Sequence, residues 1–322
     1  MTDSDVKVGV QILNYNGADW LKELLPTLVE HHDENSVVYL LDNASVDDSV
    51  AVFREMLPHG KVIHPAVNCG FSPAYNLAID TAWADGCDWV CLLNNDIRVS
   101  DGWIDPVRRL HQKDSKIGIV GSAFRDWKGS GANAFMKGRH PELASQLGTT
   151  TEHDVDWVEG SSMFIRKECW KQLGPFDPNY FIFWDETEYC RRARLNDWRV
   201  VLALDSVVEH FGGGSVSSDS AFRKPLMQRN CYAFKLTDPQ HSFSRNTLHW
   251  MRLLVTESRQ ILRTKNPLST GFGWLRNIGQ TILSIPKLYR RHQTHVSAAP
   301  LTLTDGSYSA VFSDLSHERR AA

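Results

Sequence analysis

Four short apolar runs rich in β-branched residues, at 8–13, 37–41, 61–64 and 89–93, alternate with stretches of helical period. Residues 19–31 place Trp20, Leu21, Leu24, Leu25 and Leu28 on one helical face; 47–56 and 72–84 read as further helices. Strands this short and this uniformly apolar, joined by helices, imply a mostly parallel sheet covered on both faces. Ligands of such sheets bind beyond the carboxyl ends of the strands. Each strand here ends in a polar cluster: Asn14-Tyr15-Asn16, Asp42-Asn43, Asn68-Cys69-Gly70-Phe71 and Asn94-Asn95-Asp96. One polar turn is ordinary. Four in succession describe a polar cleft along one edge.

The rest of the chain is less regular. Residues 124–156 are weakly patterned and Gly-rich, and are expected to be mobile loops with little regular structure. A strand is expected over 157–166, interrupted by Gly160-Ser161-Ser162, and a helix over 185–195, stopped by Asn196-Asp197. Residues 199–204 and 206–209 read as two strand pieces. Beyond Ser220 the strands cease; Trp250, Leu254, Ile261, Trp274, Ile278, Ile282, Ile285 and Tyr289 recur at helical steps.

Composition excludes some classes. Hydrophobic residues are 42% and charged ones 23%, a globular balance. A net charge of -3 gives no basic field for nucleic acid. The six cysteines include no Cys-x-x-Cys pair, which disfavours zinc and suits a reduced, cytoplasmic setting. Residues 1–7 are polar and lack the apolar core of a signal peptide, and no apolar stretch is long enough to span a bilayer.

The strand-end clusters, with the acidic helix start Trp184-Asp185-Glu186-Thr187-Glu188-Tyr189-Cys190, resemble family 2 glycosyltransferases of the GT-A fold, and within them the bacterial rhamnosyltransferase-type members. The matching stretches are residues 12–16, 41–45, 68–71 running to Asn76, 92–96, 159–162 and 210–213 with Ser215; together they cover residues 8–217. The resemblance implies an α/β chain with a Rossmann-like, mostly parallel mixed sheet, to which the helical period beyond Ser220 adds a helical C-terminal region. Its parts are a nucleotide-sugar-binding segment (1–125), an acceptor-binding and catalytic segment (126–220), C-terminal helices (221–295) and a disordered tail (296–322). The activity implied is inverting transfer of a sugar, rhamnose among the candidates, from a UDP- or dTDP-linked donor. The acceptor is a saccharide or lipid-linked saccharide in cell-surface polysaccharide synthesis.

The chemistry assigns roles. Charge accumulates on the leaving diphosphate, and Mn²⁺ or Mg²⁺ can neutralise it. Such a cation takes oxygen ligands, so Asp96 is the candidate ligand, with Asn94 and Asn95 bonding the ribose or diphosphate. The family places a metal-binding histidine at His210. The resemblance makes Asp42 the reader of uracil or thymine N3–H, framed by Asn14 and Tyr15; its alternative role is to cap the turn. Gly70 allows close backbone approach, Phe71 is either core or ligand wall, and a buried Asn76 needs partners. Asn68 and Gly160 belong to the same binding set. A general base must take the acceptor proton. Relatives have Glu-Asp where this chain has Asp185-Glu186, so Glu186 is the base by position and Asp185 by residue type. Both also suit a first helical turn. Glu188 pairs with Arg191 or Arg192, and Phe181, Phe183 and Trp184 offer an acceptor platform.

Residues 266–292, with Lys265, Arg276, Lys287, Arg290 and Arg291, form a basic amphipathic stretch. It suits the inner face of the cytoplasmic membrane, or packing on the catalytic part or on a second subunit of a homodimer. Two other functional classes suit the residues less well. A sugar nucleotidyltransferase needs a Gly-rich basic loop after the first strand, and Asn14-Tyr15-Asn16-Gly17-Ala18-Asp19 has no basic residue. A non-catalytic carbohydrate-binding protein would not need Asp42, Asp96, Glu186 and His210 together.

Overall fold

Seven residues, Val8–Asn14, form strand β1 at the heart of the sheet. Val8, Val10 and Ile12 point to one face and pack with Leu21, Leu24, Leu25 and Leu28 of α1 (Ala18–Glu30). On the other face Gly9 makes room for α3 (Ser72–Ala84): a Cβ there would come within 2.9 Å of Ala82. Side chains alternate along a strand, so both faces of β1 are covered; its sequence is apolar except for Gln11, which donates to Ala78 O of α3 at 2.8 Å, and the terminal Asn14. The computed structural model describes residues 6–31, 33–127, 131–212, 223–263 and 267–296.

The strands β2 (Ser36–Asp42), β3 (Lys61–Ile63) and β4 (Trp89–Asn94) join β1 in parallel, in the order β3-β2-β1-β4, with α2 (Ser49–Met56) between β2 and β3. Then the sheet becomes mixed. β5 (Ile97–Val99), α4 (Asp105–Lys113) and β6 (Ile117–Asp126) follow, then α5 (Ala134–Arg139), a short 3-10 turn (Ala144–Gln146) and β7 (Glu152–Asp154). After these come β8 (Ser162–Arg166), α6 (Lys167–Leu173), α7 (Asp185–Leu195) and β9 (Arg199–His210). The order continues β4-β8-β6-β9-β5, and β7 lies on β9. β8 runs antiparallel to β4 and β6, β9 runs parallel to β6, and β5 and β7 run antiparallel to β9.

Three expectations are corrected. Residues 124–156 carry the end of β6, α5 and β7, elements too short to leave a periodic signal. The two strand pieces at 199–209 are one strand, because the Asp205-Ser206 interruption is a register irregularity, with Ser122 opposite Ala203 and Ala123 opposite Val207. The expected strand over 157–166 begins only at Ser162.

The described residues form two compact units. One holds residues 6–181 with 185–212; the other holds 182–184 with 223–296. The second unit contains α8 (Arg223–Leu236), α9 (Phe243–Ile261) and α10 (Pro267–Val296). Its own core is Tyr232, Leu236, Trp250 and Leu288, joined by Phe243, Leu254 and Ile278. Glu257 accepts hydrogen bonds from Tyr232, Trp274 and Gln228 there. No helix among the described residues is long and apolar enough to cross a membrane. Most of the Gly-rich stretch after Gly212 and the expected tail lie outside the described residues.

Candidate active site

Parallel registration brings three strand ends together. Asn14 faces Asp42 across β1 and β2, and Leu13 faces Asn94 across β1 and β4. Asn14 is the hub. Its Nδ2 donates to Asp42 Oδ1 at 3.1 Å, and its Oδ1 accepts from Asn95 Nδ2 at 2.8 Å. Gly17 is required by this network, since a Cβ would lie 2.1 Å from Asn95 Nδ2 and 2.5 Å from Asn14 Oδ1. Tyr15 stands at the rim, 37% exposed.

Asp42 is fully buried and heavily bonded. Oδ1 also accepts from Ser45 Oγ at 2.5 Å; Oδ2 accepts from Ser45 N at 3.2 Å and lies 2.8 Å from His64 Nδ1. A carboxylate offers about four acceptor positions, and these four contacts occupy them. His64 is half exposed, so it is the contact that can move.

The third cluster is latched to the second. Asn43 donates to Asn68 Oδ1 and to Gly70 O, and accepts from Cys69 N. Gly70 has φ +84°, and a Cβ would strike Phe181 at 2.5 Å. Phe71 packs edge-on against Tyr75 and reaches Gly160, where an added Cβ would lie 3.1 Å from its ring and 3.5 Å from Glu186 Cβ. Asn76 uses both ends of its amide on the backbone of Phe176, at 2.8 and 2.9 Å, so it braces a loop.

The acidic end is assembled by β5. Its antiparallel pairing puts Ile97 opposite His210, which brings Asp96 to His210: Oδ1 and Nε2 are 3.4 Å apart. Glu159 closes the other side of the ring, with Oε1 3.6 Å from Nδ1. Burial alone would lower the pKa of His210; the hydrogen bond to Asp96 and the charge of Glu159 outweigh it and hold the imidazole above its ordinary value. Asn94 N donates to Ser161 O at 2.9 Å, and Ser161 Oγ is buried with no hydrogen-bond partner among the described residues.

Asp185 and Glu186 open α7. Asp185 is 2% exposed and accepts from Ser72 Oγ at 2.7 Å, while Glu186 is half-buried. Burial, the negative charge of Asp185 and the hydrogen bond between the two carboxyls push Glu186 well above the ordinary carboxylate range, and Glu159 adds to the push. Burial raises Asp185 as well. The two acids therefore hold a proton between them where isolated carboxylates would be ionised. Glu188 is committed elsewhere, to Arg192 Nε at 2.8 Å, one of the two partners its spacing predicts. Trp184 belongs to the second unit, where its ring packs with Phe234 at 5.2 Å; Phe183 and Trp184 both have positive φ, and Asn230 holds the carbonyls of Ile182 and Phe183.

The profile of a family described as "Glycosyltransferase like family 2" matches residues 6–233. The chain belongs to this family. Among curated relatives, the N-acetylglucosaminyl-diphospho-decaprenol L-rhamnosyltransferase of Mycobacterium tuberculosis is 23% identical over 271 residues, covering 75% of this chain and 87% of the relative. Among solved structures, residues 1–349 of S. aureus TarS in complex with UDP-GlcNAc superpose with a TM-score of 0.60 at 15% identity, over 97% of this chain and 92% of that one. The mannosyltransferase PcManGT of Pyrobaculum calidifontis, in complex with GDP-Man and Mn²⁺, gives a TM-score of 0.52 at 15% identity, over 98% and 80%. The chain is thus a glycosyltransferase with the GT-A fold.

Four residues of the candidate site were missed by reading the sequence. Glu159 was visible only as part of a motif; Gly17, His64 and Ser72 gave no signal, because each matters through a partner distant in sequence, Asn95, Asp42 and Asp185 respectively. Among the described residues no group of three histidine, cysteine or acidic side chains forms a complete metal cage. Asp96 and His210 supply one carboxylate and one imidazole, a donor set that fits a divalent cation whose other ligands come from a diphosphate.

Proposed function

We propose that the protein transfers a sugar, with inversion, from a UDP- or dTDP-linked donor to a hydroxyl of a saccharide or lipid-linked saccharide. The observation that carries this reading is the position of Glu159. It lies 3.6 Å from the ring of His210, and its charge raises Glu186. The candidate metal pair and the acidic pair therefore share one site.

Asp96 and His210 would hold Mn²⁺ or Mg²⁺, which neutralises charge on the departing diphosphate. The base end of the donor lies toward Asp42 once His64 moves off Oδ2, and Tyr15 flanks it. Asn94 and Asn95 meet the ribose or the diphosphate. Gly160 leaves space beside Glu186 for the reacting sugar. Asp185 is tied to Ser72, so the less buried Glu186 takes the proton from the acceptor hydroxyl as it attacks. The nucleoside diphosphate leaves from the opposite side.

The second unit suits an anionic membrane surface. Between residues 223 and 296 the sequence has thirteen lysines and arginines against two acids, Asp238 and Glu257, in a chain that is acidic as a whole. On α10, Leu268, Phe272, Leu275 and Leu283 are 60–90% exposed and recur along one side of the helix. Like charge opposes covering this face with a second copy, whereas anionic lipid meets both the charge and the apolar stripe. Sedimentation with phosphatidylglycerol vesicles tests this: binding should fall with salt, and binding equal to that on neutral vesicles would remove it.

The test of the main reading is a thermal-shift screen of UDP-, dTDP- and GDP-sugars with and without Mn²⁺. Binding raises the melting temperature. UDP or dTDP should act, and more strongly with metal; a preference for GDP would remove Asp42 from its role.

A further inference from the structure

We infer that the catalytic unit carries a second saccharide subsite, a cleft of about 710 Å³ beyond the reaction centre, which holds a neutral sugar unit of the acceptor next to the one that is glycosylated. The inference rests on the transferase reading above and deepens it. The cleft is lined by Arg139, His140, His153, Asp156, Trp157 and Arg194, among others. These residues come from the end of α5, the edge strand β7 with the loop after it, and the end of α7.

Position excludes the donor. β7 lies six strand positions from β2, where Asp42 sits, and at a strand spacing of ~4.8 Å this is roughly 29 Å across the sheet. A nucleotide sugar laid from Asp42 toward Asp96 ends at the acidic pair, short of the cleft. The cleft is nonetheless adjacent to the chemistry. Trp157 is three residues from Gly160, within roughly 11 Å of extended chain. Arg194 is eight residues along α7 from Glu186, about 12 Å of helix. A ladder of rings joins the two places: His210 to Phe124 at 5.5 Å, Phe124 to Phe135 at 5.8 Å, and Phe135 to Trp157 at 5.7 Å.

The chemistry selects a neutral sugar. The half-buried Trp157 ring offers an apolar face, with the Arg139 guanidinium 5.7 Å from its centre. An aromatic body beside polar groups is the composition that recognises ligands with both apolar faces and hydroxyls. His153 Nε2 is buried with no hydrogen-bond partner among the described residues, so a ligand hydroxyl would satisfy it. Burial lowers His140, which is therefore neutral at neutral pH. Arg194 is paired with Asp156 at 2.7 Å and Asp154 with Arg199 at 2.8 Å. With Glu142 also present, acids in the lining outnumber the two arginines, so a phosphate or carboxylate ligand meets no net positive charge.

The test uses the full chain and a panel of neutral monosaccharides and disaccharides at millimolar concentration, read by saturation-transfer NMR. At least one disaccharide should bind more tightly than either of its monosaccharides. Trp157→Ala should weaken it at least fivefold, Trp157→Phe should restore most of the loss, and the UDP-induced shift in melting temperature should stay the same in all three proteins. The inference is overturned if no disaccharide binds the native chain, if Trp157→Ala and His153→Ala both leave binding intact, or if inorganic pyrophosphate displaces the sugar. Loss of the UDP response in the native chain would instead sink the transferase reading.

Discussion

The two ends of the cleft treat their polar groups in opposite ways. At the nucleotide end, Asn14, Asp42, Asn43 and Asn95 are bonded to one another or to neighbouring backbone, so the network is closed before any ligand arrives. At the acidic end, Asp96, Glu159, Asp185 and Glu186 crowd together, and the buried Ser161 hydroxyl lacks a partner among the described residues. A closed network is rigid and holds shape. Like charges gathered in a buried place are a reservoir of unfavourable energy that a cation, a proton or a substrate relieves. On the reading proposed above, the first end positions the donor and the second reacts.

The sharpest way to break this contrast is Glu186→Gln. Transfer should fall about 10²–10⁴-fold, the usual worth of a positioned base, while nucleotide binding persists. Titration calorimetry with UDP separates the two; a matching loss of affinity would move Glu186 into the binding network. The native enzyme should also gain activity with rising pH beyond the ordinary carboxylate range, since Glu186 must lose a proton first. Stability should move the other way. The folded state binds this proton more tightly than the unfolded chain, so stability declines as pH rises from the ordinary glutamate value of about 4.5 through the raised pKa. The Gln variant lacks this decline, and melting curves across pH reveal it.

Next in size is Asp96→Asn, which should weaken Mn²⁺-dependent donor binding by about 1.4–3 kcal/mol, ten- to a hundredfold. Metal dependence unchanged in a titration would show that the ion is held elsewhere. Gly17→Ala tests the closed end: the new methyl has to displace Asn95 or Asn14, at a cost of about 1–3 kcal/mol in denaturant unfolding. Wild-type stability would mean that the network yields more easily than its bond count suggests. The smallest effect is expected from His64→Ala. Freeing Asp42 Oδ2 should tighten UDP binding about two- to fivefold, a few tenths of a kcal/mol to about 1 kcal/mol for an exposed pair; weaker binding would make His64 a direct contact of the base.

The same contrast explains what could be read from the sequence. The nucleotide end was legible because strands of uninterrupted apolar residues announce where they stop, and Asn14, Asp42 and Asn95 stand at those stops. The helix at Asp185 was legible from its acidic first turn and the spacing of Glu188 and Arg192. The acidic end as a unit was not. Asp96 meets His210 through the pairing of a three-residue strand with β9, Ile97 lying opposite His210 113 residues further on, and Glu159 joins them from the loop before β8; no local pattern records that. Ser72 is one more hydroxyl near a helix start until α7 brings Asp185 to it. The β7 cleft was hidden for a different reason: short elements in a Gly-rich stretch leave too few periods to detect.

The pairing of Ile97 with His210 also has a consequence for the order of events in synthesis. The nucleotide end is complete within the first hundred residues, yet the histidine that faces Asp96 arrives only with the last strand of the sheet. Until β9 has left the ribosome and zipped onto β5, a nascent chain has the residues proposed to hold a nucleotide but not the pair proposed to hold its metal. On the proposed reading, the metal pair is thus the last part of the site that the sheet completes.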